Sequence, residues 1–340
     1  MKLLDASKLD ALAKALADAG YRVVVPAEDG DLVRYAEWSP EVTIRTDAFP
    51  VNSAKDFLFP RSEVIDRYEL QGDDFVPQDV TPESPKTVLL AVRPCDAQSL
   101  AMLDTIFNWD FEDDLYNARR AATTVVPVVC TAADAQCFCT SVGGAPDSSA
   151  GADALLRPAD GGTKFILDPL TEKGEALVEA AGGALTDGEA KADPPADVPV
   201  RFDPEAVRAW VEENFESDLW DLMSLACLGC GACAYVCPTC HCFDIQDEKS
   251  RTEVVRLRNW DSCGFRLFTQ HAGGHNPRPD QAARWRNRVM HKFAYIPERF
   301  SLLGCTGCGR CARICPAGMA MLDACVRIEE ESKRAPVHES

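Results

Sequence analysis

Residues 227–238 read CLGCGACAYVCP and residues 305–316 read CTGCGRCARICP. Both are C-x2-C-x2-C-x3-C-P, with Cys227, Cys230, Cys233 and Cys237 in the first copy and Cys305, Cys308, Cys311 and Cys315 in the second. Three thiolates at this spacing wrap three corners of an iron–sulfur cubane, and the fourth Cys of such a run ligates the neighbouring cluster. Zinc sites instead join one C-x2-C pair to a distant second pair. The pattern predicts two [4Fe-4S] clusters, one on Cys227, Cys230, Cys233 and Cys315, the other on Cys305, Cys308, Cys311 and Cys237. Gly229, Gly231, Ala232, Gly307 and Gly309 are small enough to let backbone N–H groups approach cluster sulfur, where hydrogen bonds tune the potential.

Roughly 67 residues separate the two motifs, far more than the short connection of a compact two-cluster ferredoxin, so this insert carries structure of its own. QAARWRNRVMHKFAYIP has helical spacing, CARICP and MAMLDACVRIEEE suggest helices around the second motif, and the expectation is a largely helical cluster domain. FDPEAVRAWVEENFESDLWDLMSLA, leading into Cys227, reads as a helix with Val207, Trp210, Val211, Phe215, Leu219 and Leu222 on one side. The insert also holds Cys240, Cys242 and Cys263, together with His241, His271, His275 and His291. Those thiols are either structural or part of a further metal site, and each His is more simply read as a core or surface residue. Arg278, Arg284, Arg286, Arg288 and Lys292 form the one basic run; they either offset cluster charge or pair with the excess of acids.

N-terminal to the motifs the pattern changes. A helix is expected over residues 3–19 with Leu3, Leu4, Leu9, Leu12 and Leu16 on its apolar side, followed by a small antiparallel unit from YRVVVP to Ile44. Val88–Val92 is an apolar run suited to a buried strand, and Asp96 begins a helix carrying Leu100, Met102, Leu103 and Ile106. Cys95 thus sits at a strand-to-helix turn, where ligands gather in open sheets. TTVVPVV is a second buried strand that runs into Cys130 and then QCFCTS. Cys95, Cys130, Cys137 and Cys139 are therefore candidates for a third site, read as an iron–sulfur cluster, a zinc site or inert buried thiols, with Asp96 as an alternative oxygen ligand. Pro146–Asp160 reads as a loop, GTKFILDPLTEKGEALVEAAGG as a strand and helix, and residues 182–199 as a linker of small, acidic and Pro residues. The expected fold is α+β: an N-terminal α/β domain over 1–190, then a mainly helical, two-cluster ferredoxin-like domain over 191–340.

A formal net charge of −19 argues against a nucleic-acid surface, which needs clustered Lys and Arg. The start, MKLLDASKLDALAKALADAG, has no apolar signal region, and no run approaches a membrane span. With 16 Cys in such a chain, a reducing cytoplasm is the expected compartment. No G-x-G-x-x-G opening a helix, Walker loop or C-x-x-C-H is present, so flavin, nucleotide or c-type haem must come from elsewhere.

The stretches DFLFPRSE, VRPCDAQSL, QCFCTS, CPTCHCFD, WDSCGF, HAGGHNPRP, RNRVMHKF and CTGCGRCARICP span nearly the whole chain. In them the sequence resembles the iron–sulfur beta subunits of soluble NAD(P)-linked nickel-iron hydrogenases (sulfhydrogenases) and the corresponding iron–sulfur subunit of anaerobic sulfite reductase. That resemblance implies an electron-transfer protein lying between a flavoprotein, which handles NAD(P)H or ferredoxin electrons, and a catalytic redox subunit. Another class of function is a metalloenzyme that reduces a small substrate at an open iron site near Cys240, Cys242 and Cys263.

Overall fold

The structure is a computed structural model and describes residues 1–334. The strand Thr87–Val92, TVLLAV, is buried along its whole length, as a strand covered on both faces should be. It lies parallel to Arg22–Asp29 on one side and to Thr123–Pro127 on the other, and Leu32–Glu37 closes the sheet as an antiparallel edge. The helices Pro94–Ile106 and Asp114–Ala122 form the crossover between the two parallel strands. Pro94 occupies the first helical turn, where its missing N–H costs nothing, so the chain leaves the sheet at Arg93 and presents Cys95 just past the strand end. One apolar cluster fills each face of this sheet, Leu12, Val23, Leu90 and Leu156 on one side and Tyr35, Leu89, Leu103 and Val125 on the other.

Several expectations change on folding. Leu3 and Leu4 belong to a strand, Lys2–Asp5, paired antiparallel with Lys164–Pro169, and the helix starts only at Leu9. The Asp5 carboxylate accepts the Ser7 N–H and turns the chain between the two elements. Residues 154–159, expected as loop, form a strand that completes this second sheet beside Lys164–Pro169. The helix before Cys227 breaks at Asn214 into Pro204–Glu213 and Leu219–Ser224, which turns Phe215 and Leu222 outward.

The insert between the motifs is not wholly helical. Phe243–Lys249 and Glu253–Trp260 form a hairpin that adds to Ser62–Gln71, with Asp74–Gln78 beyond, in a third, antiparallel sheet. Hairpin and N-terminal strands are therefore hydrogen-bonded across the division at residue 190. The stretch expected as a linker is also tied down: the Ala196 N–H donates to the Cys130 carbonyl, Thr140 Oγ1 donates to the Val198 carbonyl, and Val198 packs on Cys137 and Cys139. Phe138 enters the helical core around Trp210, Trp285 and Phe293. A buried ion pair joins the two parts, Arg310 Nη2 to Asp96 Oδ2 at 2.6 Å, both residues almost fully buried.

Candidate metal centre

The two motifs interlock. Cys227, Cys230 and Cys233 of the first line one cavity with Cys315 of the second, walled by Trp285, Met319 and Met321. Gly231 has φ +74°, and a Cβ there would stand 2.5 Å from the Phe265 ring, so only Gly lets the chain turn into Cys233 at this point. Gln281 Nε2 donates to Cys227 Sγ at 3.0 Å. Six thiols line this apolar cavity, Cys263 and Cys311 being the other two, and a set of four with a donor aimed at sulfur fits a cubane. Cys230 is exposed, so this centre has an edge at the surface.

Cys237 turns away from its own motif and is buried near Cys305, Cys308 and Cys311. Burial pushes the Cys305 thiol up to about 12, with Lys292 pulling it down and Cys237 and Cys308 acting in the same direction as burial. Burial likewise raises Cys308 and Cys311, and Cys237 is among the groups that add to it in both. The connection is fixed by Thr239, whose Oγ1 donates to the Gly304 carbonyl at 2.7 Å and lies 3.1 Å from Cys237 Sγ.

Lys292 is the buried cation of this site. Its Nζ donates to Cys237 Sγ at 3.4 Å, Thr239 Oγ1 at 3.0 Å and the Gly304 carbonyl at 2.6 Å. Burial opposes its charge, yet Cys237, Cys240 and Cys305 hold the ammonium well above the usual lysine range. Arg288 is also buried, with Nη2 on the Cys233 carbonyl at 3.1 Å and Nη1 4.0 Å from Cys240 Sγ. Lys55 donates to the carbonyls of Ala234 and Cys240 from the other side. The basic run thus divides: Arg288 and Lys292 face thiols, whereas Arg286 meets Glu216 and the Phe215 carbonyl near the surface.

The four N-terminal thiols converge. Cys95, Cys130, Cys137 and Cys139 line a single small cavity, and Gly307 and Cys308 of the second motif form part of its wall. A Cβ on Gly307 would stand 2.5 Å from the backbone of Cys139, so this approach too requires Gly. Arg313 Nη2 donates to Cys137 Sγ at 3.3 Å and Arg93 Nη1 to Cys130 Sγ at 3.8 Å. The Asp96 carboxylate accepts from Arg310, the Tyr35 hydroxyl and the Ala54 N–H, and Asp96 is not among the residues that line the cavity.

Cys240 and Cys242 are neighbours, and each has a further thiol against it. Cys240 sits against Cys237, and Cys242 against Cys263, whose thiol is held down at about 6 first by its hydrogen bond with Cys242. Among the described residues no three His, Cys, Asp or Glu side chains converge closely enough for a single metal ion. His241 and His291 lie with ring centroids 5.4 Å apart and planes tilted by 49°, and are kept neutral by burial, at about 4 and about 3 respectively. His271 and His275 lie in an exposed loop closed by the His271 N–H on the His275 carbonyl.

Sequence reasoning missed Lys55, Gln281, Arg93 and Asp96 as the partners they are. No local pattern marks them, because each meets its partner across more than 35 positions of chain. Arg310 and Arg313 had a usable signal, since they occupy the spacer positions of the second motif itself.

Two interlocked C-x2-C-x2-C-x3-C-P motifs around a cysteine-lined cavity define an iron–sulfur protein. Residues 226–319 match the 4Fe-4S dicluster domain family. The chain is 31% identical over 249 residues to sulfhydrogenase 2 subunit beta of Pyrococcus furiosus, over 68% of this chain and 71% of that one. It belongs to that iron–sulfur beta-subunit family, whose type of chemistry is electron transfer. No solved structure matches it. No helix among the described residues is long and apolar enough to cross a membrane.

Proposed function

We propose that this chain relays electrons between a flavin- and NAD(P)-linked or ferredoxin-linked partner and the catalytic component of a cytoplasmic redox complex, and that it carries three clusters. The ligand sets are Cys227, Cys230, Cys233 and Cys315; Cys305, Cys308, Cys311 and Cys237; and Cys95, Cys130, Cys137 and Cys139. The observation that carries the reading is their contiguity. Cys311 and Cys315 share the first cavity, and Cys308 lies in the wall of the cavity formed by the N-terminal thiols. The sites therefore run in file, from the exposed Cys230 to the half of the chain that holds the α/β sheet.

Bound clusters supply one-electron redox chemistry, which lets paired electrons from a flavin be passed singly. The chain's own part is to hold the thiols in place, keep water out and set the local field. Positive charge from Lys292 and Arg288, buried beside the thiols of the second site, favours the reduced, more negative state there. The sixteen cysteines are all free, in keeping with a reducing compartment.

The test is iron and acid-labile sulfide per chain on anaerobically purified protein, with EPR of the reduced sample. About twelve irons support three sites, about eight leave two, and zinc in place of iron sinks the relay.

A further inference from the structure

The first centre reaches the surface on a face unlike the rest of the molecule. Residues 225–240 contain no charged side chain, nor do residues 314–321, in a chain whose residues are 26% charged. Leu225, Leu228 and Leu267 stand out from this face, 80%, 72% and 73% exposed. The turn of the first motif lies against the segment that carries Leu267, with Gly229 close to the Gly264 carbonyl three residues before it. Cys230, two residues after Leu228, is exposed as well.

The border of the face is basic. Arg266, Arg278 and Arg284 sit on the segment that wraps the first centre: Arg284 anchors on Gln281, which bonds Cys227, and on the Arg278 carbonyl, while Asn276 Nδ2 donates to the Arg266 carbonyl. None of the three forms an ion pair among the described residues. Exposed Asp280 stands between Arg278 and Arg284, so this segment is net positive by two, in a chain of net charge −19.

From these observations we infer that this face is the docking surface for a redox protein whose own contact face is apolar at the centre and ringed by Asp and Glu. The inference rests on the relay reading and adds to it which end of the file meets a partner. A second copy of this chain is a poor occupant, since it would bring the same three arginines against themselves and a further −19 of charge. A small, diffusing carrier would be steered by charge alone, whereas exposed leucines around a cluster edge suit a lasting contact. The rim charges act on encounter and the leucines on residence.

The experiment uses the assembled complex, purified from its native host through a tag on this chain. The double variant Leu225→Glu, Leu267→Glu is compared with Arg266→Glu and with Leu70→Glu, a control on a half-exposed leucine of the third sheet. The expected result for the double variant is about a tenfold or larger loss of a co-purifying protein that contains flavin or iron–sulfur clusters, with iron content and reduced EPR of this chain unchanged. Arg266→Glu slows reassembly at low salt, and Leu70→Glu changes nothing. Retention of the partner by the double variant overturns the inference, and so does dimerisation of the wild-type chain that the variant abolishes. Sedimentation of the wild-type chain with anionic lipid vesicles, lost in the variant, likewise assigns the face to a membrane and overturns it. Absence of iron from the wild-type chain would instead refute the relay on which it rests.

Discussion

Lys292→Met is the perturbation that most directly separates a cation placed for redox tuning from one that merely fills space. The side chains are of similar length, and the substitution removes an ammonium whose Nζ is 3.4 Å from Cys237 Sγ and buried with it. Taking ~6 Å as the separation between the ammonium and an electron spread beyond that sulfur, with an effective dielectric of ~20, the lost attraction is about 3 kcal/mol. For a one-electron couple, where 59 mV is tenfold, this lowers the potential by roughly 120 mV. Arg288 and Lys55, left in place, offset part of it, so about 50–120 mV is expected. The assay is an EPR-monitored redox titration with iron determined on the same sample, and only one cluster signal should move. Lys292→Arg, which keeps the charge, should recover most of the change. A shift below roughly 20 mV, or one upward, with full iron content would refute the electrostatic role.

Other expectations follow from the same structure. Cys137→Ser combined with Cys139→Ser should lower iron by about four per chain and leave the signals of the other two clusters in place; no loss of iron would mean the N-terminal thiols hold none. Asp96→Ala strips Arg310 of its buried partner and should cost about 3–5 kcal/mol in chemical unfolding. The double variant Asp96→Leu, Arg310→Met should recover much of that, and an additive double variant would show the two residues are not coupled. His241 and His291 are depressed by burial to about 4 and about 3, so the unfolded chain, with His near 6.5, takes up protons first as pH falls. Their contribution is complete above ~6.5, declines below it and is lost as pH passes through the folded values. Replacing both with Gln should therefore flatten the stability profile between ~6.5 and 4, and an unchanged slope would contradict their burial in the neutral form.

What the sequence determined by itself was local. The x2 spacing of thiols is chelate geometry, and a chelate is a property of a few consecutive residues, so both motifs and the dicluster domain they mark were legible without a fold. The buried strand TVLLAV was legible too, because burial on both faces leaves an unbroken apolar run. The strand at Lys2–Asp5 was not, since Leu3 and Leu4 suit a helix equally well and only pairing with Lys164–Pro169 decides. The break at Asn214 escaped because the apolar spacing continues through it while the chain changes direction.

The remaining features belong to tertiary structure alone. Cys95 lies 35 residues or more from Cys130, Cys137 and Cys139, and spacing cannot say whether such thiols meet; the parallel pairing of Thr87–Val92 with Thr123–Pro127 brings their strand ends together. Whether a lysine serves a carboxylate or a cluster ligand depends on which groups burial leaves it to face. Lys292 and Arg286 stand in the same basic run, yet the side of the helix each presents puts the first against Cys237 and the second against Glu216. Hydrogen bonds and charge fall off over a few ångströms, so these choices are made in space, among residues that the order of the chain keeps far apart.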